Sequence, residues 1–223
     1  EQAELTGQHL AGASAMTAAF DGACQLRPQS IGAKLHPVSL ILPVDVKLRK
    51  LFLDANWAYL IDSAQTETLY KGYLQIPATR FRTAEEQWAL VDDVIEAVLK
   101  SVPGFVRSDL EALEWCLSEI TDNVINHSAS PGGGVAQLSN RSKSRKIEFA
   151  ICDVGASIPK TLRPSHPEIY EDFDALSWAI REGVTRDPAI GQGNGLFGSS
   201  EVCAGSGGFI SIQSGRGSLH KNQ

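Results

Sequence analysis

The sequence predicts an α/β fold in which two amphipathic helices cover a sheet, and three observations lead to this prediction. Two successive stretches with helical periodicity, 83–99 and 108–127, each place their apolar residues along one stripe. Segments with the character of strands follow at 135–139, 146–153 and 208–217. Because each helix has a single apolar face, the two helices need a common sheet to cover. We therefore expect one α/β domain at 81–217.

The bulk composition is that of an ordinary globular protein. Of the 223 residues, 43% are hydrophobic and 21% are charged. No apolar run approaches the roughly 18 residues that span a bilayer, and the start, Glu1-Gln-Ala-Glu4, lacks the basic-then-apolar order of a signal peptide. These features predict a cytoplasmic protein with no membrane partner.

Charge and cysteine usage argue against two further classes of protein. The net charge of -6 argues against direct nucleic-acid binding, which needs a basic face, and the short basic cluster Arg141–Lys146 is interpreted as a solvated turn between strands. The four cysteines are scattered and form no Cys-x-x-Cys pair. This usage favours a reducing compartment and predicts neither a zinc site nor a disulfide framework.

Residues 1–80 are expected to form a loosely packed lead-in and a small α/β appendage. The lead-in is weakly periodic, with one helix expected near residues 8–20. After Pro37 the patterns predict a strand at 38–42, a helix at 46–55 and another strand at 57–61. No group of chemically active side chains falls in this part, so Trp57 and Tyr59 are interpreted as core residues.

The two long helices have recognisable starts. A strand at 73–82, interrupted by Pro77, precedes them. It is expected at the edge of the sheet because proline cannot donate to a sheet ladder. Thr83 and Glu86 form a capping box that opens the first helix. The apolar stripe of this helix is expected to include Trp88, and the helix is expected to end at Pro103-Gly104. The second helix begins at Ser108-Asp109.

The last third of the chain alternates irregular and regular segments. Prolines make Lys160–Asp172 an expected irregular segment, followed by a helix at 174–182. Four glycines at 191–198 lead into a helix near 196–204, and a final strand at 208–217 precedes an expected flexible tail at 218–223.

The second long helix carries a candidate site. Glu119 and Asn123 are four residues apart, so they lie on one face of the helix, with Asn126 one turn further along. A separate stripe of apolar residues faces the core, namely Leu113, Cys116, Leu117, Ile120 and Val124. Taken alone, the polar pair also fits a solvated helix face.

Two later segments add to this pair. Asp153-Val-Gly155 ends an apolar strand. A carboxylate at this place can accept a hydrogen bond from the amino group of a nucleotide base, and a glycine can let the backbone approach a flat ligand. The same letters also form a common turn. Downstream, the glycines before the helix at 196–204 offer free backbone N–H groups and the positive end of a helix dipole to an anion such as phosphate.

The glycine spacing Gly193-x-Gly-x-x-Gly198 does not indicate a dinucleotide site. That motif needs a hydrophobic strand directly before it and an acidic residue about 20 positions later. Here the residues before it are Thr185-Arg-Asp-Pro-Ala-Ile190, and positions 213 and 214 are Gln and Ser. No Gly-Lys-Ser/Thr follows the glycines either, so a Walker-type loop is also excluded.

The order of these segments resembles the GHKL superfamily of ATP-binding domains, over residues 83 to 217. Glu119-x-x-x-Asn123-x-x-x-His127 looks like the N box of the family in its anti-sigma-factor kinase form. Asp153-Val-Gly155 is similar to the first glycine box and Gly191–Gly198 to the second. The resemblance implies a Bergerat fold, which is a two-layer α/β sandwich whose mixed, mostly antiparallel sheet is covered on one face by helices.

The resemblance also implies roles for residues. Glu119 would be the general base, and Asn123 would bind both the nucleotide and Mg²⁺. The other residues expected to contact ATP are Asp153, at the adenine amino group, and Gly155, Ile158, Gly191, Gly193, Asn194, Gly195, Leu196, Phe197 and Ser214. Expected partners are ATP and a regulatory protein that carries a target serine or threonine, and a homodimer is left open.

The chain departs from the family pattern at several places. Ser157 stands where the first box usually has a second glycine, and no upstream helix with a phospho-accepting histidine is recognisable. The sequence therefore leaves three alternatives: a kinase or slow ATPase, a nucleotide-gated binding module without useful catalysis, and a plain α/β domain whose glycines match the family pattern by coincidence.

Overall fold

The structure is a computed structural model that describes residues 4–6, 39–62, 64–69, 75–101, 104, 106–141, 146–185 and 193–222. The chain groups into two compact units. The first falls within residues 1–82, 92–104 and 132–154, and the second within residues 83–91, 105–131 and 155–223. The helix expected near residues 8–20, the turn at 142–145 and the glycine at 191 lie outside the described residues.

The strands that the structure describes in the first unit form two sheets. Strands β1 (Glu4–Thr6) and β2 (Ser39–Ile41) pair in parallel. Strands β3 (Gln75–Phe81), β4 (Gly134–Arg141) and β5 (Lys146–Asp153) form an antiparallel sheet in that order. As predicted, β3 is an edge strand, and its register shifts between Ile76 and Thr79, on either side of Pro77.

Two short helices close the edge of β3. They are α1 (Val46–Asp54) and α2 (Trp57–Ile61), which meet at Asn56 in a left-handed conformation with φ of 66°. Ala78 of β3 donates its N–H to the Ala55 carbonyl and accepts a hydrogen bond from Asn56 Nδ2. Trp57 is buried and donates from Nε1 to Gln137 Oε1 at 2.7 Å, which confirms that it is a core residue.

The strand predicted at 57–61 is wrong, because this segment is the helix α2. Trp57, Ala58 and Ile61 are buried, at a spacing that fits one side of a helix. A short run of apolar and aromatic residues does not distinguish a strand from a buried helical turn. The corner at Asn56 and the packing of these side chains decide in favour of the helix.

The two long helices are confirmed. Helix α3 (Ala84–Ser101) starts with Thr83 Oγ1 accepting the N–H of Glu86 at 3.3 Å, which is one of the two bonds of the predicted capping box. The second begins with a 3₁₀ turn at Arg107–Leu110, where Asp109 accepts the N–H of Val106, and continues as α4 (Glu111–Asp122). Its last turn, Asn123–His127, is π-helical and is called the π turn below.

The buried face of α3 differs from the prediction at two residues. Trp88 was placed in the apolar stripe, but its side chain is 63% exposed. Gln87 lies one position earlier, in helical register with the buried Val91 and Val94, and is only 1% exposed. The stripe therefore includes a polar residue, which the spacing of apolar side chains alone does not indicate.

The described residues of the second unit form three further helices and a hairpin. The helices are α5 (Ile158–Leu162), α6 (Asp172–Ala179) and α7 (Gly195–Gly205), and the strands β6 (Ile210–Ser214) and β7 (Gly217–Lys221) pair in antiparallel fashion. Its core includes Leu162, Ile169, Ala175 and Ala179. Among the described residues, no helix is long and apolar enough to cross a membrane.

Two predictions for this part need correction. The start of Lys160–Asp172 is helical, because Pro159 lies in the first turn of α5, where the missing N–H costs nothing. The expected flexible tail instead contributes β7. Gly215, with φ of 62°, forms the tight turn after β6, and β7 then buries Gly217 and Leu219.

Candidate functional site

Glu119 lies in the last turn of α4, and Asn123 is the first residue of the π turn that follows it. The buried side of the helix holds Cys116, Leu117 and Thr121, whereas Glu119 and Asn123 are both half-buried. Neither side chain forms a hydrogen bond or ion pair with another residue in the described part of the chain. A carboxylate and a carboxamide are thus available to a ligand on one side of this helix.

The π turn changes the prediction for Asn126. An i→i+5 turn contains more residues than an α-helical turn, so the residue three positions after Asn123 no longer lies above it. Asn126 is exposed. Ser128 closes the turn, donating its N–H to the Asn123 carbonyl at 3.1 Å and its hydroxyl to the Val124 carbonyl at 2.8 Å. Single π turns are frequent at functional sites.

Gly155 approaches the end of the π turn. A Cβ atom added to Gly155 would collide with the carbonyl and the hydroxyl of Ser128. The next residue, Ala156, donates its N–H to the Ser128 carbonyl. The glycine of the predicted first box therefore has a packing function in the second unit, which the sequence did not indicate.

The residues after Gly155 cap helix α5. Ser157 has φ of -70° and ψ of 154°, and its hydroxyl accepts the N–H of Lys160 at 3.4 Å. A glycine is not needed at this conformation, which any residue can adopt. The Ile158 N–H donates to Ser214 Oγ at 2.8 Å. Ile158 and Ser214, both predicted to contact ATP, are thus bonded to each other.

The described glycines of the second box also make close contacts. Gly193 has φ of 70°, and a Cβ atom there would lie 2.6 Å from the carbonyl carbon of Gly183. Gly198 faces the ring of Trp115, which a Cβ atom would overlap. Each glycine thus allows two segments of the second unit to approach more closely than larger residues would.

Gly195 connects the second box to Glu119. A Cβ atom on Gly195 would lie 2.6 Å from Glu119 Oε2, so the carboxylate is next to the first residue of α7. Asn194 precedes this helix, is exposed and provides no side-chain cap, and the first turn contains no acidic residue. The N–H groups at this end of α7 therefore have no side-chain cap, and the helix dipole favours an anion there.

The protonation of Glu119 reflects its surroundings. Partial burial raises the pKa of this carboxyl above its ordinary value of 4.5, and the negative charge of Asp122 raises it further. Among the residues that the structure describes, no basic side chain counteracts this shift. A raised pKa makes the carboxylate a stronger proton acceptor, which suits a general base.

The remaining predicted residues have simpler positions. Leu196 packs against the core of the second unit, and the Phe197 carbonyl accepts the hydroxyl of Ser200. Asp153 is the last residue of β5, opposite Gly134 in the first unit, and its assignment to adenine stays a prediction. Among the described residues no group of three or more His, Cys, Asp or Glu side chains could hold a metal ion.

Comparisons with known proteins give no family. A scan against protein-family models finds no match, and searches of curated proteins and of solved structures find none either.

Proposed function

We propose that this chain carries a Mg²⁺-dependent ATP-binding domain of the GHKL type, with the Bergerat arrangement of two layers, and acts as a regulatory serine/threonine kinase of the anti-sigma type or as a slow ATPase. The observation that carries the proposal is the approach of Glu119 to Gly195. This approach places the helix that carries Glu119 and Asn123 next to the start of α7, which follows the glycines. Phosphoryl transfer needs a base, a metal ligand and an anion site close together.

The roles of the residues follow from their chemistry. The N–H groups at the start of α7, around Gly195 and Leu196, would hold phosphate oxygens. Asn123 would supply one oxygen ligand to Mg²⁺, which keeps waters and phosphate oxygens as its other ligands. When bound, the metal would neutralise charge on the phosphates. Its weak demand for protein ligands fits a site with a single carboxamide.

Glu119 would act on the attacking group. Its carboxylate takes the proton of a water or of a protein hydroxyl as that oxygen bonds to the γ-phosphorus. The bond from the γ-phosphorus to the bridging oxygen breaks, and ADP leaves with that oxygen. Water as the attacking group gives an ATPase, and a serine or threonine hydroxyl gives a protein kinase.

One observation favours a second candidate, a nucleotide-gated binding module with little catalysis. Fast phosphoryl transfer uses a lysine or arginine to stabilise the transferred group. In the second unit Arg163 is bonded to Asp172, and Lys221 is bonded to Glu201. These two cations are engaged elsewhere, so fast catalysis would have to use another cation, such as Lys160 in α5 or one from a partner.

Calorimetry with ATP, with and without Mg²⁺, tests binding. We expect wild-type binding to be strengthened by Mg²⁺, and Asn123→Ala to lose that strengthening. Asn126→Ala, exposed in the same turn, is the matched control and should bind as wild type does. Absence of binding to the wild-type protein, or equal effects of the two variants, would contradict the proposal.

The rate of ADP formation then separates the two candidates. If Glu119 is the base, Glu119→Gln should bind Mg-ATP and lose about 100-fold or more in rate, as is typical for a general base. Detection of phosphoprotein distinguishes a kinase from an ATPase. Equal rates near background in both proteins, with binding retained, would support the binding module.

A further inference from the structure

Gln87 is a buried polar residue in an otherwise apolar stripe. Its side chain is 1% exposed and lies on the face of α3 that also buries Val91 and Val94. Its Oε1 atom has no hydrogen-bond partner among the residues that the structure describes. An apolar side chain of similar size would fill the same space without burying an unpaired oxygen. Packing alone therefore does not account for a glutamine here.

The amide group of Gln87 holds one turn of α4. Nε2 donates to Thr121 Oγ1 at 2.9 Å and, more weakly, to the Ser118 carbonyl at 3.4 Å. A carbonyl oxygen can only accept, so the amide must present its nitrogen to this side. Thr121 is fully buried and donates its own hydroxyl to the Leu117 carbonyl at 2.7 Å. The orientation of each group in this network is thus fixed by its partners.

This turn carries the two candidate ligand groups. Ser118 and Thr121 stand immediately before and two residues after Glu119, and Asn123 follows two residues after Thr121. The helix also changes from α to π at Asn123. The Gln87 amide therefore binds the helix on its buried side, directly behind the residues that are available to a ligand.

We infer that Gln87 is a positioning residue, whose hydrogen bonds to Thr121 and Ser118 orient the helix turn that presents Glu119 and Asn123. The inference concerns the site of the proposed function, and the identity of its ligand, Mg-ATP, rests on that proposed function. Gln87 itself is buried and touches no ligand; it acts through the backbone and the Thr121 hydroxyl. Substituting a residue that is hydrogen-bonded directly to a metal ligand commonly costs about 10-fold to 100-fold in metal affinity, and Gln87 acts one step further from the metal.

The variant Gln87→Met tests the inference because it keeps the volume and removes the amide. We expect thermal stability equal to or above that of the wild type, since an unpaired buried oxygen is removed. We also expect faster backbone hydrogen exchange at residues 118–128, measured without nucleotide, and a loss of about 10-fold in the strengthening of ATP binding by Mg²⁺. Gln213→Met, at an exposed position on β6, should change none of these quantities.

A double-mutant cycle supplies the second arm. Thr121→Val removes the hydroxyl that Gln87 contacts, so the double variant should lose no more Mg²⁺ strengthening than either single variant. Additive losses, or wild-type exchange and Mg²⁺ dependence in Gln87→Met, would overturn the inference. If the wild-type protein binds no nucleotide, the proposed function fails, while hydrogen exchange still decides whether Gln87 orders the turn.

Discussion

Ser214 accepts the backbone N–H of Ile158 at its Oγ atom, with 2.8 Å between oxygen and nitrogen. Ile158 is the first residue of α5 and Ser214 is the last residue of β6, 56 positions later. The first N–H groups of a helix have no partner within the helix, and this bond satisfies one of them. Ser214 therefore has a structural role, whereas its contact with nucleotide stays a prediction from the family resemblance.

Ser214→Ala should lower the free energy of unfolding by about 1 kcal/mol, the usual effect of losing a side-chain cap. The loss follows because the Ile158 N–H would be left without its acceptor. Chemical denaturation measures the change. Ser211→Ala, at an exposed position on the same strand, is the control and should be nearly neutral. Equal effects of the two substitutions would show that the bond contributes nothing.

Gly155→Ala should destabilise the protein by roughly 1–3 kcal/mol, because the added methyl group would collide with Ser128 and force the backbone apart. Gly205→Ala is the matched control, since a Cβ atom there meets no atom within 4 Å and the position is helical. It should be neutral or slightly stabilising. If Gly155 served only to admit a ligand, Gly155→Ala would keep wild-type stability and lose nucleotide affinity alone.

Glu119→Gln should change how stability depends on pH. Burial raises the pKa of Glu119 in the folded protein above its ordinary value of 4.5. The folded state therefore binds the proton more tightly, and stability falls as the pH rises from 4.5 through the folded value. Glutamine removes this cost, so the variant should be more stable than wild type at neutral pH and equal to it below 4.5. Unfolding curves across this range test the prediction, with the exposed Glu111→Gln as control.

Asp172→Asn should have the opposite dependence. The Arg216 N–H, and after it the Arg163 guanidinium, hold the pKa of Asp172 below its ordinary value of 3.8. This stabilisation is present above pH 3.8 and is lost as the pH falls through the folded value. The variant should therefore be less stable than wild type at neutral pH, with the difference closing in strong acid. A constant difference at all pH values, or the same result for the exposed Asp174→Asn, would contradict it.

The elements that follow from local patterns were predictable from the sequence. Helices α3 and α4 each repeat apolar residues at helical spacing, and β4 and β5 alternate or are continuously apolar up to Asp153. The start of α7 after the glycines was also found. In these segments the local preference and the final packing agree, so a single sequence is sufficient.

The remaining features depend on contacts between distant segments. The helix α2 is chosen over a strand by the corner at Asn56, and the burial of Gln87 depends on its bonds to α4. The glycines of the candidate site were identified, but their packing partners were not, because Ser128 and Trp115 are far from them in the sequence. The π turn could not be predicted from helical periodicity, because its extra residue shifts the spacing of about 3.6 residues on which that periodicity depends.

The π turn also restricts how the chain can change in length. Removing one residue between Asn123 and His127 would let the α-helix continue, and every later residue of the turn would rotate by about 100°. Ser128 would then no longer meet Ala156 and Gly155. Insertions and deletions at this point should therefore be tolerated less well than substitutions, even at exposed positions such as Asn126. The number of residues between Glu119 and Ser128 is as much a part of the site as their identity.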